Sequence, residues 1–210
     1  MRTILAHARI GIFSLALCAA AVPLSAQQQP PTPAAWTAVE GALGRKGAMQ
    51  PNDVIKFSFP RSDLSVSVGG VTLKPALALG GWVAFKQTGK GMAMAMGDLV
   101  LTEDEVGPVM RTLQSGGVQQ TALHNHVLTE SPRVMYMHIY AHGDAAQIAR
   151  AIHDGLAQSK TPLGPPSAPS APSAAGLDTA GIASALGVAG KLNGVVYQVS
   201  VARREKVTEM

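Results

Sequence analysis

The chain has a single cysteine, Cys18, in 210 residues. That excludes a disulfide-stapled scaffold and a cysteine-built zinc module. Charged residues make up only 14% of the chain, and no run of Lys or Arg accompanies the pI near 9.4. A nucleic-acid partner therefore has no footprint here. The P-loop, the Rossmann fingerprint and the H-E-x-x-H pair are all missing. There is no G-x-S-x-G elbow either. Ser131, beside Glu130 and close in sequence to several histidines, is too ordinary a neighbour to imply a triad. One apolar run stands out, residues 10–22, and it is too short for a spanning helix. A chain of this length holds one domain or two small ones.

That apolar run has a context. Arg2, His7 and Arg9 precede it, no acid interrupts it, and Pro23-Leu24-Ser25-Ala26 follows. The order is that of a secretory signal over residues 1–26, cleaved after Ala26, which places the mature protein in the periplasm or outside the cell. Cys18 then leaves with the signal. A lipoprotein anchor through Cys18 is the lesser reading, because Leu17 is too large for a good lipobox. Without Arg2 and Arg9 the net charge falls from +4 to +2, so most of the basic character belongs to the signal.

Residues 27–160 read as one α+β domain. A helix is predicted over 34–44, with Trp36, Val39, Ala42 and Leu43 on one face and Gly44 as its stop. Strand-like runs follow at 53–59, 64–68 and 71–74, with Gly69-Gly70 as a two-residue hairpin turn. Further strands are expected over 80–87 and 92–101. A helix over 103–115 opens on a T-x-x-E capping box, Thr102 with Glu105, and buries Val106, Val109, Met110 and Leu113. Strands at about 118–126 and 133–141 follow, then a helix over about 145–158 capped by Asp144. The succession predicts a largely antiparallel sheet with helices on one face, carrying ferredoxin-like split βαβ elements. Residues 161–175 form a Pro/Ala/Ser linker. After it, 185–190 (ALGVAG) repeats 42–47 (ALGRKG), and 195–203 parallels 53–61. Residues 176–210 are read as a partial second copy, or as a helix and strand that complete the first domain's sheet.

Six histidines are present, four of them between residues 124 and 142. Alternate residues of a strand share a face, which sets His124 with His126 and His138 with His142. If the two strands pair in even register, the four imidazoles converge as ligands for Zn or Cu; in odd register no common site exists. Glu130 is the candidate general base on a metal-bound water, the feature a metal-dependent hydrolase would need. The bland reading gives the histidines to polar strand ends. His153 is assigned to packing or surface.

Other residues are assigned to structure. Met92, Met94 and Met96 alternate at a spacing that suits Cu(I), yet core filling is the preferred role. Asp98 after Gly97 is read as a turn, and Glu103, Asp104 and Glu105 as helix-opening charges. Arg61, Asp63 and Arg133 are read as surface charge.

The stretches DVIKFSFPRSDLSVSVGGVTLKPALALGGWVAFK, MGDLVLTEDEVGPVM and GGVQQTALHNHVLTESPRVMYMHIYAHGDAAQIARAI resemble the LppY/LpqO family of exported bacterial proteins, over about residues 34–160. The resemblance implies export and, often, two copies of the domain. It implies no activity and assigns no role to His124, Asn125, His126, Pro132, Arg133 or His138, which match its motif. Three functions follow as expectations: a periplasmic protein binding a metal ion or small ligand, a metal-dependent hydrolase, or a structural envelope protein docking a partner.

Overall fold

The computed structural model describes residues 33–165, 176–201 and 204–205. The signal segment, with Cys18, and residues 166–175 of the linker lie outside them. In chain order the first unit runs α1 (Thr37–Leu43), β1 (Ala48–Gln50), β2 (Val54–Pro60), β3 (Ser67–Val68), β4 (Val71–Thr72), α2 (Pro75–Ala78), β5 (Gly80–Gly89), β6 (Met92–Thr102), α3 (Glu103–Ser115), β7 (Gln119–His124), β8 (Val134–Asp144) and α4 (Ala145–Leu156). Six strands form one antiparallel sheet in the order β1-β2-β5-β6-β8-β7. The class is α+β. Strand β8 lies between β6 and β7, the two strands that α3 joins.

The strand period of two decides which residues meet the helices. On β6 these are Ala93, Ala95, Leu99 and Leu101; on β8 they are Met137, Ile139 and Ala141. Against them pack Val39 and Leu43 of α1, Val109 and Leu113 of α3, and Ile148, Ile152 and Leu156 of α4. Each fully buried large side chain contributes roughly 1.5–3 kcal/mol relative to exposure. Helix α3 has the bounds the capping box predicts, and the Glu105 carboxylate accepts the Thr102 N–H at 2.9 Å. Asp144 caps α4 by accepting from Gln147 N at 2.8 Å.

Gly97 is the tightest point of the sheet. A Cβ there would stand 2.7 Å from the Trp82 carbonyl oxygen and 3.1 Å from Ile139. The obstacle is backbone of a paired strand, so it cannot swing aside. Gly97→Val is expected to cost about 1–3 kcal/mol in chemical denaturation. An unchanged midpoint would show that the sheet yields there.

The other face of the sheet is only partly covered. The β3–β4 hairpin, whose Gly69 and Gly70 both have positive φ as a tight hairpin turn requires, and the short α2 fold over one end. There Val66, Leu79, Val100, Val134 and Tyr136 make a second, smaller core. The hairpin also holds the loop between β7 and β8. Ser67 and Ser131 exchange both backbone hydrogen bonds, at 2.9 and 3.0 Å.

Two expectations about charge and packing change. Arg61 is not a surface residue but fully buried. It donates to both oxygens of Glu105 (2.7 and 3.1 Å), to both of Asp63 (2.9 and 2.8 Å) and to the Val100 carbonyl (2.7 Å). The methionines of β6 do not fill the core. Ala93 and Ala95 do, because small residues let the helices approach. Met92, Met94 and Met96 point to the uncovered face, and Met92 and Met96 are exposed.

Beyond the linker, α5 (Thr179–Leu186), β9 (Lys191–Asn193) and β10 (Val196–Gln198) follow. Strands β9 and β10 pair with each other and form a sheet of their own. Each unit opens on a helix followed by a two-stranded hairpin. Gly44 after α1 and Gly187 after α5 both have φ of 67°. Three residues later, Gly47 lies against Ile55 and Gly190 against Tyr197 across the hairpin.

Candidate functional site

The histidines are set by the β6–β8–β7 ladders. His138 on β8 is paired with Asp98 on β6 and with Ala122 on β7, and His124 on β7 with Tyr136 on β8. All stand on the face away from the main helices. Register places His124 and His138 diagonally, and their Nε2 atoms come within 3.0 Å. At that distance the two nitrogens cannot both carry a proton. One N–H donates to the other's lone pair, or a cation takes the proton's place.

His126 reaches the cluster differently than a pleat would bring it. Strand β7 ends at His124, and His126 lies in the following loop. Its ring stacks on Tyr136, with centroids 3.4 Å apart and planes 9° from parallel, and lies 5.0 Å from the His124 ring. Burial pushes the His126 imidazole below its ordinary value. The neighbouring His124 and His138 act in the same sense, against the charges of Asp98 and Glu130. Neutral imidazole is the form that ligates. Tyr136 donates its hydroxyl to the Ala78 carbonyl. Burial first, then the charges of Glu130 and Asp98, push its phenol up to about 12.

Asp98 is the residue the sequence reading misplaced. It is not in a turn but in the middle of β6, paired with Trp82 on one side and His138 on the other. Its Oδ1 is buried without a hydrogen-bond partner and lies 3.8 Å from His138 Nε2. A buried acceptor left unpaired costs about 1–3 kcal/mol, so this oxygen is set apart from the satisfied carboxylates of Glu105 and Asp144. The available signal was the alternation M-A-M-A-M-G-D, which continues the strand through residue 98 and puts Asp98 on the methionine face.

His142 does not join the cluster. It lies four residues further along β8, roughly 13 Å of strand from His138. There it pairs with Met94, and its Nε2 is 3.2 Å from Thr88 Oγ1. Glu130 sits in the β7–β8 loop and accepts the Val134 N–H at 3.3 Å. Arg133 is exposed, 3.5 Å from Glu103. His153 is at the surface of α4, beside Asp154 at 3.3 Å. As placed, among the described residues no group of three or more His, Cys, Asp or Glu is arranged to hold a metal ion. The site has two converged imidazoles, an orphan carboxylate oxygen beside one of them, and a third imidazole stacked alongside.

The site and the whole six-stranded sheet fall inside one family match. A family model described as Domain of Unknown Function (DUF1259) matches residues 37–158. The chain belongs to this family. The DUF1259 match runs from the first residue of α1 to just beyond α4, so β7, β8 and Asp98 lie inside the matched span. No curated protein and no solved structure matches the chain. Among the described residues, no helix is long and apolar enough to cross a membrane.

Proposed function

We propose that this DUF1259 protein is an exported binding protein that captures a divalent transition-metal ion, zinc or copper, through His124 and His138, with Asp98 as the third donor and His126 within reach as a fourth. The observation that carries the reading is the 3.0 Å separation of the two Nε2 atoms. Two nitrogens bound at about 2.0–2.1 Å to one ion, at the angles of a tetrahedral or square site, stand about 2.9–3.4 Å apart. The pair is therefore already spaced for a shared ion. Asp98 Oδ1, at 3.8 Å from His138 Nε2, needs a shift of roughly half an ångström to the same spacing. The two backbone strands hold the pair, while the Ser67–Ser131 bridge holds the loop that carries His126.

Binding is preferred to hydrolysis because the Glu130 carboxylate accepts the N–H of Val134 at the start of β8. Export rests on the signal-like residues 1–26, and the finer likeness is to the LppY/LpqO proteins. The recurrence of helix, left-handed glycine and hairpin supports reading residues 176–201 as part of a second copy.

Titration calorimetry of the mature protein with Zn(II) and Cu(II) is the test. One ion per chain is expected. His124→Ala and His138→Ala should each weaken it at least 100-fold, Asp98→Asn about tenfold, and His142→Ala not at all. Equal affinity in the wild type and the His124→Ala/His138→Ala double variant would sink the proposal.

A further inference from the structure

The uncovered face of the sheet carries a second group of metal-ligating side chains, apart from the histidine pair. Met92, Met94 and Met96 stand in a row on β6, on the side away from the core. Met92 is 39% and Met96 51% exposed. Packing does not account for them. The core on the opposite side is complete with Ala93 and Ala95, and the smaller core ends at Val100. Across the ladder, Met94 is paired with His142 and Met96 with Tyr140.

His142 gives the row its direction. It belongs to β8, yet its Nε2 contacts Thr88 Oγ1 on β5 at 3.2 Å. Strand β6 lies between those two strands. The imidazole must therefore cross over β6, at the level of Met94 and Met92. When Nε2–H donates to the Thr88 hydroxyl, Nδ1 keeps its lone pair. A hydrogen bond on the far ring nitrogen that fixes the tautomer is the usual outer support of a ligating histidine.

We infer that Met94, an adjacent methionine (Met92 or Met96) and His142 form a binding site for a soft monovalent cation, Cu(I). Thioether sulfur is a poor ligand for Zn(II) and a good one for Cu(I), so the donor set selects the ion. Directly opposed residues of an antiparallel pair have Cβ atoms about 4.5–5.5 Å apart, within the span of a Met and a His closing on one ion. Methionine's three rotatable bonds let neighbouring thioethers on one strand face converge. The facing charges are Lys86, opposite Met94 on β5, and Asp144, opposite Met92 on β8. Lys56 of β2 stands on the same face further out, over the Trp82 ring. The site uses none of the residues proposed to hold the divalent ion.

The experiment is an anaerobic Cu(I) titration of the mature protein, without the Cys18 thiol, competed against a chromogenic Cu(I) chelator. Met94→Leu and Met96→Leu keep apolar volume and strand character, so folding is retained; circular dichroism checks it. The wild type is expected to bind one Cu(I). Met94→Leu and His142→Ala should each weaken binding at least tenfold, and His124→Ala/His138→Ala should leave it within twofold. Zn(II) affinity should be unchanged in Met94→Leu, which separates this site from the divalent one. Absence of Cu(I) binding in the wild type overturns the proposal. So does wild-type affinity in Met94→Leu with loss in the His124→Ala/His138→Ala variant, which would assign the copper to the histidine pair.

Discussion

Glu105→Ala is expected to lower the unfolding free energy by about 3–5 kcal/mol, because it removes one partner of a buried ion cluster. Arg61 is fully buried and Glu105 nearly so. The Glu105 carboxylate holds three things at once. It accepts both Arg61 terminal nitrogens, the Thr102 N–H that starts α3, and the Lys160 N–H beyond α4 at 2.8 Å. Alanine would leave the guanidinium with Asp63 and the Val100 carbonyl, and would leave two backbone donors unsatisfied. Urea denaturation measures the loss. Arg133→Ala, which removes an exposed pair, should change stability by less than about 0.5 kcal/mol. A loss below about 1 kcal/mol in Glu105→Ala would show that Asp63 alone balances Arg61.

The same cluster sets an acid limit. Burial pushes the Glu105 carboxyl up, but the Arg61 hydrogen bonds and the N–H groups of Lys160 and Thr102 more than reverse this and hold it below its ordinary 4.5. A carboxyl depressed in the folded state contributes stability above its unfolded value and loses it as the pH falls through the folded value. The wild type should therefore lose stability below pH 4.5 more steeply than Glu105→Gln, which has no charge to lose. Parallel pH profiles of the two proteins would contradict this.

Local patterns carried much of the fold. Helix α3 is legible because the capping box, the acidic first turn and the stripe of Val109 and Leu113 agree on one segment. The strands are legible because Gly and polar clusters separate them. What alternation cannot say is which of two faces a helix will cover. The scarcity of aromatics and the interleaved alanines suggest that the methionines of β6 fill the core, while the deciding fact is that Ala93 and Ala95 are small enough to lie beneath α4. The site was half legible for a related reason. The even register that joins His124 to His138 depends on where β7 and β8 pair, and a bulge between Gln120 and Ala122 shifts it. His126 departs from strand periodicity, since β7 ends at His124; His142 keeps it and shares the face of His138, but stands two pleats further along β8, beyond the cluster. The Arg61–Asp63 pair is legible from its spacing, but the burial of Arg61 is not, because its other partner, Glu105, is 44 residues away.

Phe85→Ala is expected to cost about 3–5 kcal/mol, a lowering of the midpoint by roughly 10–20 °C. The scarcity of aromatic residues makes this site unusually decisive. Three of the few aromatic rings meet at one place: Phe85 lies 5.9 Å from Phe57 at 86° and 6.4 Å from Trp36 at 60°. All three are buried. Phe57 comes from β2 and Phe85 from β5, while Trp36 enters from the turn before α1. The cluster therefore fastens the first helix to two adjacent strands. Edge-to-face geometry adds about 0.5–1.5 kcal/mol per pair to the area term, and both pairs involve Phe85. On the β6 side the neighbours are Ala93 and Ala95, too small to refill the space. Thermal unfolding, followed by near-ultraviolet circular dichroism, reads the change directly. Phe85→Leu should retain about half of the lost stability. The histidine pair stands on the opposite face of the sheet, so the metal affinity proposed for it, measured in Phe85→Ala well below the midpoint, should stay within twofold of the wild type. A midpoint lowered by less than about 5 °C would mean that α1 is held by α4 and not by the ring cluster.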